Sequence, residues 1–131
     1  MRYLPDTNAV IALLNDSASK VARRARREIP SEIGISAIVA HELYFGAFKS
    51  QRVDRNAGLI DSIHLAVIEF DKEDARQAGE IRATLAARGT PIGAYDVLIA
   101  GQADARNLTL VTHNTGEFAR IPALRIEDWE I

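Results

Sequence analysis

The chain contains no cysteine. That absence removes disulfide scaffolds, thiolate zinc sites and cysteine nucleophiles together, and a reducing, cytoplasmic setting is the expectation. Long hydrophobic runs are missing too. The longest near the start is Ala9 to Leu14, far below the roughly 20 apolar residues of a membrane span. Asp6 and Asn8 stand where a signal peptide would carry its apolar region, so no membrane attachment is expected. Nor is there a strong charge of either sign: 16 Lys and Arg against 18 Asp and Glu leave a net of −2, which excludes a strongly basic, promiscuous nucleic-acid binder. No glycine-rich phosphate loop and no Gly-x-Ser-x-Gly elbow occurs, so nucleotide binding and serine hydrolysis lack their parts.

What the chain does have is size and pattern. Its 131 residues, 47% apolar, suit one domain spanning 1–131 that folds without staples, and no repeat or low-complexity linker divides it. Short apolar runs at 2–5, 32–35, 65–70, 108–112 and, more weakly, 124–127 read as buried strands. Helical periodicity fills 7–14, 20–29, 37–49, 52–63, 72–88 and 94–106. The 72–88 helix has the clearest ends, with Asp71 as N-cap, Asp74 at the capping-box position, Gly89 as stop and Pro91 beyond. Strands separated by helices cannot be hairpin neighbours, so an α/β fold with a mainly parallel sheet of four to five strands between helical layers follows. In such sheets ligands bind beyond the carboxyl ends of the strands, where strand order reverses.

Carboxylates concentrate at those places. Asp6 directly follows the first strand, although an Asp there is also an ordinary helix N-cap. Glu42 falls at helical spacing with Ile35, Ile38, Val39, Phe45 and Gly46, a stripe expected to face the core. Asp96 sits likewise among Ile92, Ile99 and Ala103. A carboxylate on an inward stripe costs several kcal/mol unless it is paired, protonated or bound to a metal. Buried salt bridges are the competing reading, yet only Lys49 shares either stripe.

After the fourth strand comes a polar loop, Thr112-His113-Asn114-Thr115-Gly116-Glu117. Glu117 either completes an acidic pocket or, three residues after Asn114, closes a capping box. Thr112 and Asn114 offer neutral oxygens to the same place, and the sequence does not rank the three. Three or four acids from distant segments, all oxygen donors without cysteine, suit Mg²⁺ or Mn²⁺ better than Zn²⁺. His41, His64 and His113 are scattered singly, with His113 the one in the site loop. Lys20, Arg23, Arg24, Arg26 and Arg27 form the densest basic run, readable as a solvated helix face or, through Arg23 and Arg27, as a guide for an RNA backbone.

Taken in order, Tyr3-Leu4-Pro5-Asp6-Thr7-Asn8, Glu42-Leu43-Tyr44-Phe45-Gly46-Ala47, Ile92-Gly93-Ala94-Tyr95-Asp96-Val97-Leu98-Ile99-Ala100, and the run from Leu110 to Phe118, closing with Leu124 to Trp129, resemble the PIN-domain ribonuclease toxins of the VapC family. The resemblance covers the whole chain and implies a three-layer PIN-like fold. It further implies a metal-dependent endoribonuclease, the toxin of a type II toxin–antitoxin pair, held in check by a small VapB-like antitoxin and acting as a homodimer. By that likeness Asp6 and Asp96 match the principal ligands of a Mg²⁺ or Mn²⁺ ion, Glu42 the third acid, and Glu117 the fourth, with Asn114, Thr112 and Asn8 in support. The antitoxin would use a hydrophobic groove beside the early helices. Pro5, His41 and Asn114 depart from the usual pattern, in which many relatives place Asp where this chain has Asn114.

Two competing functions remain. An Asp-based phosphotransfer domain would need a second acid where this chain has Asn8, or an early acidic pair and a late lysine. A non-catalytic binding module on a decayed nuclease fold would be expected to have lost some of the acids, and none of the three best is lost.

Overall fold

The computed structural model describes residues 1–131. Five strands, β1 (Tyr3–Pro5), β2 (Gly34–Ser36), β3 (Ala66–Ile68), β4 (Thr109–Val111) and β5 (Ile126–Glu127), are all paired in parallel. β1, β4 and β5 form one sheet and β2 with β3 another. A single parallel bridge, Tyr3 to Ile33, joins them, supported by the Arg2 amide donating to the Glu32 carbonyl at 2.8 Å. The order across the molecule is therefore β3-β2-β1-β4-β5. Chain progress reverses between β1 and β4, the position where an open parallel sheet makes its ligand crevice. The expected strands are all present but shorter, because each ladder pairs at most three residues per strand. Pro5 ends β1, where its missing N–H costs no ladder bond.

Seven helices cover the sheets: α1 (Thr7–Asn15), α2 (Lys20–Ala25), α3 (Ala37–Phe48), α4 (Val53–Asp61), α5 (Lys72–Ala87), α6 (Ala94–Ala105) and α7 (Thr115–Phe118), with a 3-10 turn at Pro30–Glu32. The expected helix over 20–29 stops at Ala25. The amides of Arg27 and Glu28 bond back only three residues, to Arg24 and Ala25 at 3.0 Å each, and Pro30 follows. Asp71 and Asp74 form the anticipated capping box at the start of α5. The core includes Leu4, Val39, Leu85, Ile99, Leu110 and Phe118, all buried.

Helices α5 and α6 meet closely. A Cβ at Gly101 would lie 2.5 Å from the Cα of Ala78, so the crossing exists only with a bare α-carbon at that point. Beside it Asp74 is buried and accepts from Arg106 through Nε (3.1 Å) and Nη2 (2.9 Å), and from Gln102 Nε2 (3.0 Å). Burial alone would raise the Asp74 pKa. The donors of Arg106, the Asp71 amide and Gln102 overcome that and hold it below the ordinary value.

Candidate active site

Asp6 occupies the crevice at the reversal. Its amide donates to the Val111 carbonyl at 2.9 Å, fixing it to the end of β4. Its Oδ1 accepts from the Ala9 amide at 2.9 Å and caps α1. Capping and site geometry thus coexist, since the cap uses one oxygen of two. Asp6 is buried, and burial raises its pKa; hydrogen bonds from Thr112 and Ala9 offset part of this, and the charges of Glu130 and Glu42 add to the rise. Thr112, also buried, accepts the Asn114 amide on its hydroxyl at 3.0 Å while bonding to Asp6, so β4 and its loop hold the first acid in place.

Glu42 reaches the same crevice from α3, though not on the stripe expected. Val39, Leu43 and Ala47 are the buried face of α3, whereas Phe45 is 60% exposed and Gly46 is exposed. Glu42 lies half-buried on the flank, and its Oε1 accepts the Thr7 hydroxyl at 2.8 Å. Thr7 escaped the sequence reading, which favoured its neighbour Asn8. The side chain of Asn8 is exposed and makes no hydrogen bond, because the first turn of α1 aims Thr7 across to α3 and Asn8 outward. The only available signal was a hydroxyl one residue after the strand-end acid.

Asp96 stands in the first turn of α6, half-buried, with Ile99 and Ala103 below it in the core. No hydrogen-bond donor reaches its carboxylate. Burial, then the charges of Glu117, Glu42 and Asp6, raise its pKa to about 6. Glu117 is held by two neutral donors, the Gly93 amide at 3.1 Å and the side-chain amide of Asn114. The anticipated Asn114 capping box does not form: the Asn114 backbone amide donates to the Thr112 hydroxyl instead of to Glu117, and no amide of α7 donates to the Asn114 side chain. Asp6, Glu42 and Glu117 therefore all act on one half-buried carboxylate.

The buried salt bridges offered as a competing reading are absent. Arginines pair elsewhere, Arg24 with Glu28 and Glu127, Arg106 with Asp71 and Asp74. The tightest trio of ligand-type side chains is a different one: His113, Asp128 and Glu130, with donor atoms within 4.8 Å of one another and His113 Nδ1 3.0 Å from Asp128. The four acids stand wider apart, each but Asp96 tethered to a neutral donor. His41 is exposed with its ring 5.6 Å from that of Tyr95, and His64 is exposed. Arg23 and Arg27 lie outside the acid cluster on the surface around α2.

An oxygen-only donor set with an unscreened, half-buried acid fits a hard divalent cation. Against known proteins, the PIN domain family model matches residues 3–124. The tRNA(fMet)-specific endonuclease VapC of Salmonella typhimurium is 40% identical over 131 residues, 98% of both chains. The chain belongs to the VapC family of PIN-domain ribonucleases. Its fold matches VapC-family structures closely: a DNA-bound VapBC from Salmonella typhimurium superposes with a TM-score of 0.93 at 40% identity, covering 98% of each chain. VapBC2 from Rickettsia felis bound to a promoter DNA fragment gives 0.90 at 35% identity, covering 98% of this chain and 99% of that one. No helix of this VapC-family chain is long and apolar enough to cross a membrane.

Proposed function

We propose that this chain is a metal-dependent endoribonuclease, the toxin of a type II toxin–antitoxin pair, acting in the cytoplasm as one PIN unit. The observation that carries the reading is Asp96, a half-buried carboxylate facing three other acids with no cation and no donor to relieve it. Asp6, Glu42 and Asp96 would hold Mg²⁺ or Mn²⁺, with Glu117 as the fourth acid. Bound there, the ion supplies a water of lowered pKa and neutralises charge on the scissile phosphate. The chain's own part is positioning. Asp6 is fixed by Ala9 and Thr112, Glu42 by Thr7, and Glu117 by Gly93 and Asn114. Water is the attacking group, so no side chain forms a covalent intermediate.

The substrate is RNA. The Salmonella relative is named for initiator transfer RNA, which makes tRNA the first substrate to test. For the antitoxin, a groove of about 230 Å³ between α1, α3 and α4 offers Ile11, Leu14, Leu43, Leu59 and Ile60, beside the exposed rings of Phe45 and Phe48. This is apolar surface of the kind an amphipathic segment covers, and the solved relatives are toxin–antitoxin complexes. Homodimerisation belongs to the same reading.

The test is cleavage of tRNA with Mg²⁺ or Mn²⁺, with and without chelator, alongside calorimetric titration of Mn²⁺. Metal-dependent cleavage and stoichiometric Mn²⁺ binding are expected. Undiminished cleavage in chelator sinks the metal mechanism, and a chain that neither binds Mn²⁺ nor cuts RNA is a binding module.

A further inference from the structure

Around the second helix the chain builds a cavity of about 220 Å³ whose wall includes Lys20, Arg23, Arg24, Arg27, Asp128 and Trp129. Of its four cations, Arg24 is neutralised by Glu28 and Glu127 and covers the Trp129 ring at 5.0 Å. Lys20, Arg23 and Arg27 have no ion-pair partner and are exposed. A solvated helix face would scatter its charges to water; here three uncompensated cations surround one concavity.

The cavity also adjoins the acid site. Asp128 in its wall bonds to His113, the residue after Thr112. Glu130 touches the same imidazole at 3.3 Å. The link to the acid site runs through the backbone: the Asp6 amide is held by Val111, and two residues on His113 is bonded to Asp128 in the cavity wall.

We infer that this groove is a phosphate-binding subsite for the strand being cut, in which Lys20, Arg23 and Arg27 hold the RNA backbone next to the scissile bond. The inference rests on the ribonuclease reading above and deepens it. An acidic site repels a polyanion, so a substrate drawn to it needs compensating cations close by, and this cavity is where the chain places three. An RNA occupant is favoured over a protein one by continuity with the catalytic acids.

The experiment measures binding of a single-stranded RNA across a salt series, in chelator so that nothing is cut. Arg23→Gln/Arg27→Gln is compared with Lys72→Gln/Arg76→Gln, a matched charge change on exposed residues of α5. Two lost phosphate contacts should make the slope of log K against log salt shallower by about 1.4 in the first double variant, with the second unchanged. Equal slopes in all three proteins overturn the subsite, whether or not the chain proves to be a nuclease. Cleavage supplies the second readout: kcat/KM on tRNA should fall in the Arg23/Arg27 variant. A shallower slope with wild-type kcat/KM would place RNA in the groove but off the cutting path, and overturns the proposal.

Discussion

The hydroxyl of Thr7 donates to Glu42 Oε1 at 2.8 Å, linking the first turn of α1 to the flank of α3. The bond orients a half-buried acid that no cation holds. Thr7→Val keeps the shape and removes the donor, so Mn²⁺ affinity and RNA cleavage should fall by roughly 10–100-fold, the range for losing a partner of a metal ligand. Thr7→Ser should restore both. Calorimetry and cleavage on the same preparations check it, and a Thr7→Val protein of wild-type affinity would show that Glu42 needs no orienting.

Asp96→Asn should abolish cleavage and at the same time raise the melting temperature of the metal-free chain. Its carboxyl titrates near pH 6 in the fold against 3.8 for an unperturbed Asp. The folded state therefore binds the proton more tightly, and the Asp96 contribution to stability falls as pH climbs from 3.8 to about 6, then stays flat. The variant's advantage should be small at pH 4 and full at pH 7.5. Scanning fluorimetry of both proteins in chelator measures the difference, and an advantage independent of pH would contradict the assigned cause.

Asp74→Ala strands Arg106 and Gln102 between α5 and α6, and should cost about 3 kcal/mol by urea denaturation. Arg106→Lys, with Asp74 in place, should retain only part of that stability, since an ammonium cannot make the two-pronged contact seen through Nε and Nη2. The Asp74 pKa is lowered, so its stabilisation is complete above pH 3.8 and disappears as pH falls through the depressed value. In Asp74→Ala the acid limb of the stability curve should be correspondingly shallower.

Two glycines of neighbouring helices should respond with opposite sign. Gly101→Ala drives a Cβ to 2.5 Å from the backbone of Ala78 and should destabilise by about 1–3 kcal/mol, because a helix must shift. Gly79→Ala, with open space around it, should stabilise by about 0.5–1 kcal/mol through helix propensity. Urea midpoints of the two single variants decide it.

The strand and helix order, the parallel pairing and the positions of Asp6 and Asp96 were legible because alternation between short apolar runs and helical patterns leaves few topologies. The phase of α3 was not. Its twelve residues are apolar on nearly every side, so spacing alone put Glu42 in line with Phe45 and Gly46 when the buried line runs through Val39, Leu43 and Ala47. Thr7 and the second role of Asp74 depend on partners 35 and 32 residues away, which local pattern does not encode. The end of α2 was lost for a milder reason: basic residues continue the helical composition past the point where the backbone tightens into a turn.

The pairing of Pro5 with Val111 also sets a time order. Asp6 is made well before the strand that fixes it, because α1 to α6 all lie between β1 and its partner β4. At roughly 5–20 residues per second, Asp6 and Glu42 wait for several seconds with no crevice to put them in. The crevice therefore cannot close until Thr109–Val111 have been made, and a chain halted before β4 should carry Asp6 and Glu42 without the arrangement that brings them together.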